Sequence, residues 1–324
     1  MKVLGLSSGR KMQNTEVLIK SALMGAEEAG AEVEFIRMQD LDIKPCIFCK
    51  VCLFQQKGPE ACVIKDDGPY LYNHIMDNDG FILGAPVYSL TPPGIIKMFE
   101  DRMMGPKTDK SFIIEAKKVG GKDRMGGPRY IDERLFKHRV GAFISLGGAT
   151  TPNWLSFGLA LLHTMTFPPQ INVVDQMQVR TVGRKGHAVM LDEEMARARK
   201  MGRNVVKALK QPEGKEKWMG DEPGICPVCH SDLLTVGKKN PIECPVCGIF
   251  GTIKVDSDNN ITVTFSKKEQ ARSRLTIAGK LEHFVELSGY ARFMKNVDMK
   301  EIERRLEKFK GYAEVNKPVR KKTK

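Results

Sequence analysis

The chain has 324 residues, 41% hydrophobic and 28% charged, which is ordinary for a globular α/β protein with room for one large domain and a smaller one. No stretch approaches the roughly 18 consecutive apolar residues of a membrane span, and the opening MKVLGLSSGR turns polar too early for a secretory leader, so a cytoplasmic protein without a membrane partner is expected. The formal charge of +13 is local: Lys317, Arg320, Lys321, Lys322 and Lys324 make a basic tail and residues 107–139 are rich in Lys and Arg, so a nucleic-acid partner is not expected.

In chain order, five apolar runs read as strands: KVLGLSS, EVEFIRM, DGFILGAPVY, RVGAFISLGG and INVVDQMQV. Helices are expected to begin near Thr15, Asp67, Thr91 and Pro152. A fifth runs from Asp192 to about Lys210, with Met195, Ala198, Met201, Val205 and Leu209 at helical spacing behind an acidic first turn. This alternation predicts a parallel sheet covered on both faces. The segment 104–139 fits no regular element and reads as a lid or an oligomer contact. After Lys210 a polar Gly/Pro-containing linker marks a boundary. The expected divisions are an α/β domain at 1–211, a small module at 212–266 that ends in the hairpin signature GTIKVDSDNNITVTF, and a helical tail at 267–324.

The first strand runs into SSGRKMQNTEVL, where small and hydroxylated residues meet a helix N-terminus and Ser8, Arg10, Asn14 and Thr15 come within reach of a phosphate. The loop lacks both the GxGxxG and the GxxxxGK[ST] patterns, and its alternative reading is an ordinary strand–helix turn capped by Asn14. In an open parallel sheet, ligands bind beyond the C-terminal ends of the strands. There the chain carries SGRKMQNT, APVYSLTPPGIIKMFEDR and SLGGAT, in this order. These three segments resemble the phosphate loop and two further signatures of the NADPH-dependent FMN reductase family over roughly residues 1–210. The resemblance implies a flavodoxin-like five-stranded parallel sheet and non-covalent FMN. Ser8, Arg10, Gln13, Asn14 and Thr15 would hold its phosphate, and Pro86, Val87, Tyr88 and Ser89 would line its ring. Gly147 and Gly148 would let backbone approach it. Gly9 stands where the family often has Pro.

All eight cysteines fall into two quartets. In CIFCKVCLFQQKGPEAC, Cys46, Cys49 and Cys52 at two-residue gaps suit three corners of a cubane, with Cys62 arriving after nine more residues. A reducing compartment disfavours disulfides, and a [4Fe-4S] cluster is preferred over zinc or free thiols. The position of this loop, and its Asp66–Asp67 end, resemble the cysteine motif of the iron-sulfur flavoproteins in the same family. Cys226, Cys229, Cys244 and Cys247 form two CPVC knuckles fourteen residues apart. That is a zinc-ribbon pattern, with a rubredoxin-like iron as the alternative metal and His230 as a neighbour of the site.

The expected activity is therefore an FMN-dependent oxidoreductase that passes electrons from NAD(P)H or ferredoxin to a small organic acceptor by way of FMN and a cluster. The alternative is an electron carrier between protein partners with no small-molecule substrate of its own. The resemblance also implies a homo-oligomer, dimer or tetramer. Tyr88 is the one candidate for a catalytic side chain; the singly scattered His74, His138, His163, His187 and His283 read as structural or exposed.

Overall fold

The computed structural model of the chain describes residues 1–49, 51, 58–105, 108–118, 120–121 and 130–313; Cys52, parts of the 104–139 segment and the basic tail from Lys317 lie outside them. The five apolar runs become β1 (Lys2–Ser7), β2 (Glu32–Arg37), β3 (Gly80–Pro86), β4 (Val140–Leu146) and β5 (Asn172–Val179). They pair in parallel in the order β2-β1-β3-β4-β5, so the chain reverses direction across the sheet between β1 and β3. This is the flavodoxin-like order.

Successive residues of the inner strands feed two separate cores because side chains alternate across a sheet. Leu4, Leu6, Phe81, Leu83 and Phe143 face one core with α2 (Gly68–Asp77), α3 (Gly94–Met103) and α5 (Phe157–Thr166). Val3, Ile82, Ala142 and Ile144 face the other, with α1 (Asn14–Glu28) and α6 (Asp192–Leu209). The helix starts agree with the sequence reading to within a few residues. The segment 104–139 departs from it, because it contains a helix, α4 (Lys110–Lys118). Asp109 accepts from the Ser111 and Phe112 N–H groups at the start of this helix, and Phe112, Ile113 and Ala116 bury one face of it. The Gly-, Lys- and Arg-rich flanks mask that short pattern in the sequence.

Helices α1 and α6 meet backbone to backbone. A Cβ on Gly25 would lie 1.9 Å from the Arg199 carbonyl oxygen, and one on Gly202 would lie 1.7 Å from that of Ala22. Only glycine permits this approach.

Beyond the linker, β6 (Ile242–Cys244), β7 (Ile249–Val255) and β8 (Ile261–Thr264) make an antiparallel sheet around the second cysteine quartet, followed by α7 (Lys267–Ala271). This module is bonded to the edge of the large sheet. Met219 N donates to the Val174 carbonyl at 2.8 Å, and Gln176 and Gln170 donate to the His230 and Leu275 carbonyls, each at 2.7 Å. Helix α8 (Ile277–Met294) follows, then α9 (Met299–Leu306). Residues 1–282 form one compact unit and the chain from His283 a second. Among the described residues no helix is long and apolar enough to cross a membrane.

Gly202→Ala is expected to force α1 and α6 apart and to destabilise by roughly 1–3 kcal/mol, as overpacking does. A urea melt read by circular dichroism should show a lower midpoint at unchanged slope; an unchanged midpoint would contradict the close-packed contact.

Candidate functional site

The loops after β1, β3 and β4 meet at the C-terminal edge of the sheet. Ser8 is fixed by its N–H on the Gly84 carbonyl at 3.0 Å, and the chain then turns through Met12, whose φ is +50°. Gly9 lies against Thr15, where an added Cβ would stand 2.6 Å from Oγ1, so the loop folds tightly onto the first turn of α1. Arg10 is exposed and its guanidinium lies 5.6 Å from the centre of the Tyr88 ring. Gln13 precedes α1 with its side chain uncommitted to a cap, leaving the first-turn N–H groups available to an anion. Glu16, buried in the same turn, accepts from Met12 N at 2.7 Å and pairs with Arg37 at 2.9 Å and Lys20 at 2.6 Å. Burial pushes its carboxyl up, but Lys20, Met12 and Arg37 outweigh this and hold it below its ordinary value.

Asn14 is spent differently from the expectation that it holds phosphate. Its amide donates to the Val182 and Arg184 carbonyls at 2.7 and 2.8 Å, and its oxygen accepts from Ala188 N at 2.9 Å. Both amide protons are thereby committed, and the residue ties the segment after β5 to the loop after β1.

After β3, Pro86 is buried, and Ser89 and Leu90 take left-handed φ values of +49° and +75° inside a tight turn in which Tyr88 and Thr91 exchange backbone hydrogen bonds. Tyr88 is 44% exposed. Val87, Ser89, Leu90, Gly148, Ala149, Trp154 and Leu155 line a cavity of about 220 Å³. Gly147 packs on Leu155 and Gly148 on Gly183. Leu90, which lies within the APVYSLTPPG segment, and Trp154, which follows SLGGAT by four residues, were not among the residues expected at the site. An open helix N-terminus after β1, a cavity lined by the loops after β3 and β4, and the close backbone approach at Gly148 fit a flavin mononucleotide.

The cysteine loop is closed at its base. Asp66 accepts from Lys44 N at 2.7 Å, Asp67 accepts from Asp42 N at 2.7 Å, and Asp67 N donates to the Asp42 carbonyl at 2.9 Å. Arg102, from the last turn of α3, forms a buried ion pair with Asp66 and also donates to the Lys44 carbonyl at 3.0 Å and to Cys62 Sγ at 3.5 Å. Burial pushes the Asp66 carboxyl up, but Arg102 and the Lys44 and Gly68 N–H groups outweigh this and hold it below the ordinary range. Cys46 and Cys49 are exposed and Cys62 is half-buried, and their sulfurs do not converge within 4.8 Å. Cys52 lies outside the described residues. Those described therefore do not by themselves assemble a cluster.

The second quartet does converge. Cys226, Cys229, Cys244 and Cys247 are buried with all four sulfurs within 4.8 Å, the pairs 226–247 and 229–244 standing 3.6 and 3.5 Å apart. Tetrahedral metal–sulfur bonds of about 2.3 Å require edges of about 3.8 Å, so the cage fits one metal ion. Each knuckle ends in a left-handed residue, His230 at φ +58° and Gly248 at +68°. Four of the remaining histidines have partners: His74 with Glu34 at 2.8 Å, His138 with Glu216, His187 with the Thr181 carbonyl at 3.1 Å and His283 with Glu286 at 2.9 Å.

The profile of the NADPH-dependent FMN reductase family matches residues 1–174. This chain belongs to that family. It is an FMN-dependent oxidoreductase. Over 295 residues it is 32% identical to the flavone synthase cfoJ of Aspergillus candidus, spanning 89% of this chain and 88% of that protein. Over 132 residues it is 35% identical to an iron-sulfur flavoprotein of Methanocaldococcus jannaschii, spanning 39% of this chain and 65% of that one. A solved flavone reductase superimposes with a TM-score of 0.78 at 26% identity, covering 98% of this chain and all of that one.

Asp66→Asn should leave Arg102 buried without its counter-charge and cost about 3–5 kcal/mol. Because the native carboxyl titrates below the ordinary value of about 3.9, its contribution is complete above that pH and disappears as pH falls through the lower, folded value. Thermal melts from pH 7 to 2 should show a steeper acid loss in the wild type than in the Asn variant, which retains only the share of other lowered carboxyls such as Glu16; parallel profiles would rule this pair out as a contributor. Purified protein should also carry one metal ion held by the second quartet. Cys244→Ser should reduce that occupancy and lower the melting temperature, and an equal metal content in wild type and variant would contradict the cage.

Proposed function

We propose that the cleft formed by the loops after β1, β3 and β4 holds FMN and exchanges a hydride with a flat, conjugated ring compound of the flavone type. The observation that carries this reading is the likeness, over nearly the whole chain, to a flavone reductase and a flavone synthase, together with the cavity of about 220 Å³ lined by the loops after β3 and β4. Arg10, Gln13 and Thr15 hold the phosphate, while Ser8, whose N–H and Oγ both donate to the Gly84 carbonyl, and Asn14, which anchors residues 182–188, shape its nest. Pro86, Val87, Tyr88, Ser89, Gly147 and Gly148 line the ring. Bound FMN supplies two-electron chemistry at its N5. Leu90 and Trp154 exclude water and offer apolar faces to the substrate ring, and Tyr88 stands where it can stack or donate a hydrogen bond to a substrate carbonyl. The balanced reaction takes NAD(P)H, a proton and the C2=C3 bond of a flavone to NAD(P)⁺ and the saturated C2–C3 bond of a flavanone.

Cys46, Cys49, Cys52 and Cys62 are proposed to bind a [4Fe-4S] cluster that exchanges single electrons with a carrier such as ferredoxin. Their spacing and the likeness to iron-sulfur flavoproteins support this, and no step of the hydride reaction runs through it. The second quartet is proposed to hold zinc, as its hairpin suits a ribbon. The exposed apolar Leu90, Trp154, Phe157 and Leu161 beside the cleft are proposed to meet a second copy of the chain.

The test is anaerobic turnover of flavone with NADPH or NADH on protein assayed for flavin, iron, acid-labile sulfide and zinc. Flavanone formation is expected, and Arg10→Ala should weaken FMN binding at least tenfold. Failure of FMN-loaded protein to convert any flavone with either nucleotide would remove the substrate assignment, and absence of labile sulfide would remove the cluster alone.

A further inference from the structure

At the other end of the sheet from the FMN cleft lies a cavity of about 530 Å³, enclosed by the start of β5, the end of α5, the 213–218 linker and the first cysteine knuckle. Five to seven strand residues, roughly 16–23 Å, separate its floor from the C-terminal end of β5. It lies wholly within residues 1–282.

His163 lines this cavity and is 3% exposed, yet neither ring nitrogen has a hydrogen-bond partner among the described residues. The Cys229 backbone approaches the ring without the geometry of a hydrogen bond, and an edge-on contact with Phe143 at 4.9 Å fixes the ring plane. Gln170, also in the lining, donates its amide to the Leu275 carbonyl and to Asn172 Oδ1 and leaves its own oxygen unpartnered. A buried polar atom without a partner costs about 1–3 kcal/mol, so such groups gathered at one cavity point to something that satisfies them. Another part of the lining is aromatic: the Trp218 indole stacks on the His230 imidazole, centroids 3.7 Å apart and planes 19° from parallel. Two carboxylates complete it, Glu213 paired with Lys110 at 2.5 Å and Glu216 with His138, and the described lining itself contains no Lys or Arg.

We propose that this cavity is a second small-molecule site, which takes a neutral, flat heteroaromatic ring bearing a hydrogen-bond donor and an acceptor on one edge, as an aromatic carboxamide or a nucleobase does. Its volume lies within the range of about 300–1,000 Å³ usual for such sites. His163 offers its two unpartnered ring nitrogens, and Gln170 Oε1 offers an acceptor; together they read the ligand's edge. The Trp218–His230 stack provides the apolar surface on which the ring lies. Gln170 Oε1 is an acceptor and finds no donor on a carboxylate, and Glu213 and Glu216, already paired with Lys110 and His138, leave no free cation in the described lining to attract one, so an anion is disfavoured. A ligand here touches the knuckle that carries Cys226 and Cys229, so its occupancy also braces the metal module against the sheet.

The test uses the FMN-loaded full chain titrated with nicotinamide and with nicotinate, which has nearly the same shape and a negative charge, by calorimetry and ligand-observed NMR. Nicotinamide should bind and nicotinate should bind at least tenfold more weakly. His163→Phe, which keeps the contact with Phe143, and Gln170→Leu should each weaken nicotinamide at least tenfold at unchanged FMN content and unchanged NAD(P)H oxidation. If His163→Phe does not fold, Gln170→Leu carries the comparison. Absence of nicotinamide binding, equal affinity for the two compounds, or binding that both variants retain, as binding at the flavin would be, overturns the proposal.

Discussion

The ion pair between Asp66 and Arg102 joins parts of the molecule that the sequence keeps far apart. Arg102 ends α3, the helix that begins directly after the loop proposed to line the flavin ring, and Asp66 closes the loop that carries the first cysteine quartet. A helix rises about 1.5 Å per residue, so the eight residues from Gly94 to Arg102 set roughly 12 Å between the end of the ring-lining loop and the base of the cysteine loop. Both charges are out of water, which makes the pair expensive to break and therefore effective at keeping that spacing constant. The cysteine loop is held at its base by backbone hydrogen bonds and this one guanidinium, while Cys46 and Cys49 remain at the surface.

Much of this fold was legible in the chain. The five apolar runs and the long amphipathic stretch behind Asp192 carry their periodicity openly, and the two CPVC knuckles state their geometry by spacing alone. Helix α4 was not legible, because nine residues between Gly- and Lys-rich flanks give too short a periodic signal, and its stability comes from burial of Ile113 and from the Asp109 cap. At the site, the order of the three loops located the cleft, but not the division of labour within it. Asn14 looked like a phosphate ligand because of its place beside a helix start. Its partners lie nearly 170 positions away in sequence, and only the folded chain shows that its amide is occupied there. Arg102, Glu16 and Trp154 gave no local sign of their roles for the same reason.

The α/β unit and the metal module share one boundary, the edge of β5. An exposed edge strand is a template for unwanted pairing. Here the linker supplies one backbone hydrogen bond to it through Met219, and Gln176 reaches from it to the module. The metal cage accordingly does more than fold its own ribbon: it fixes the knuckle that covers this edge and roofs the second cavity.

The two knuckles invite one comparison. Both turn through a left-handed residue, but one uses glycine and the other His230. A non-glycine residue in that conformation stores about 1 kcal/mol of strain or more. A ribbon shaped only for metal binding would shed that strain by placing glycine in both turns. The chain instead keeps an imidazole there and lays it against Trp218, so a tightly folded metal knot has surrendered some stability to present an aromatic surface to its neighbour.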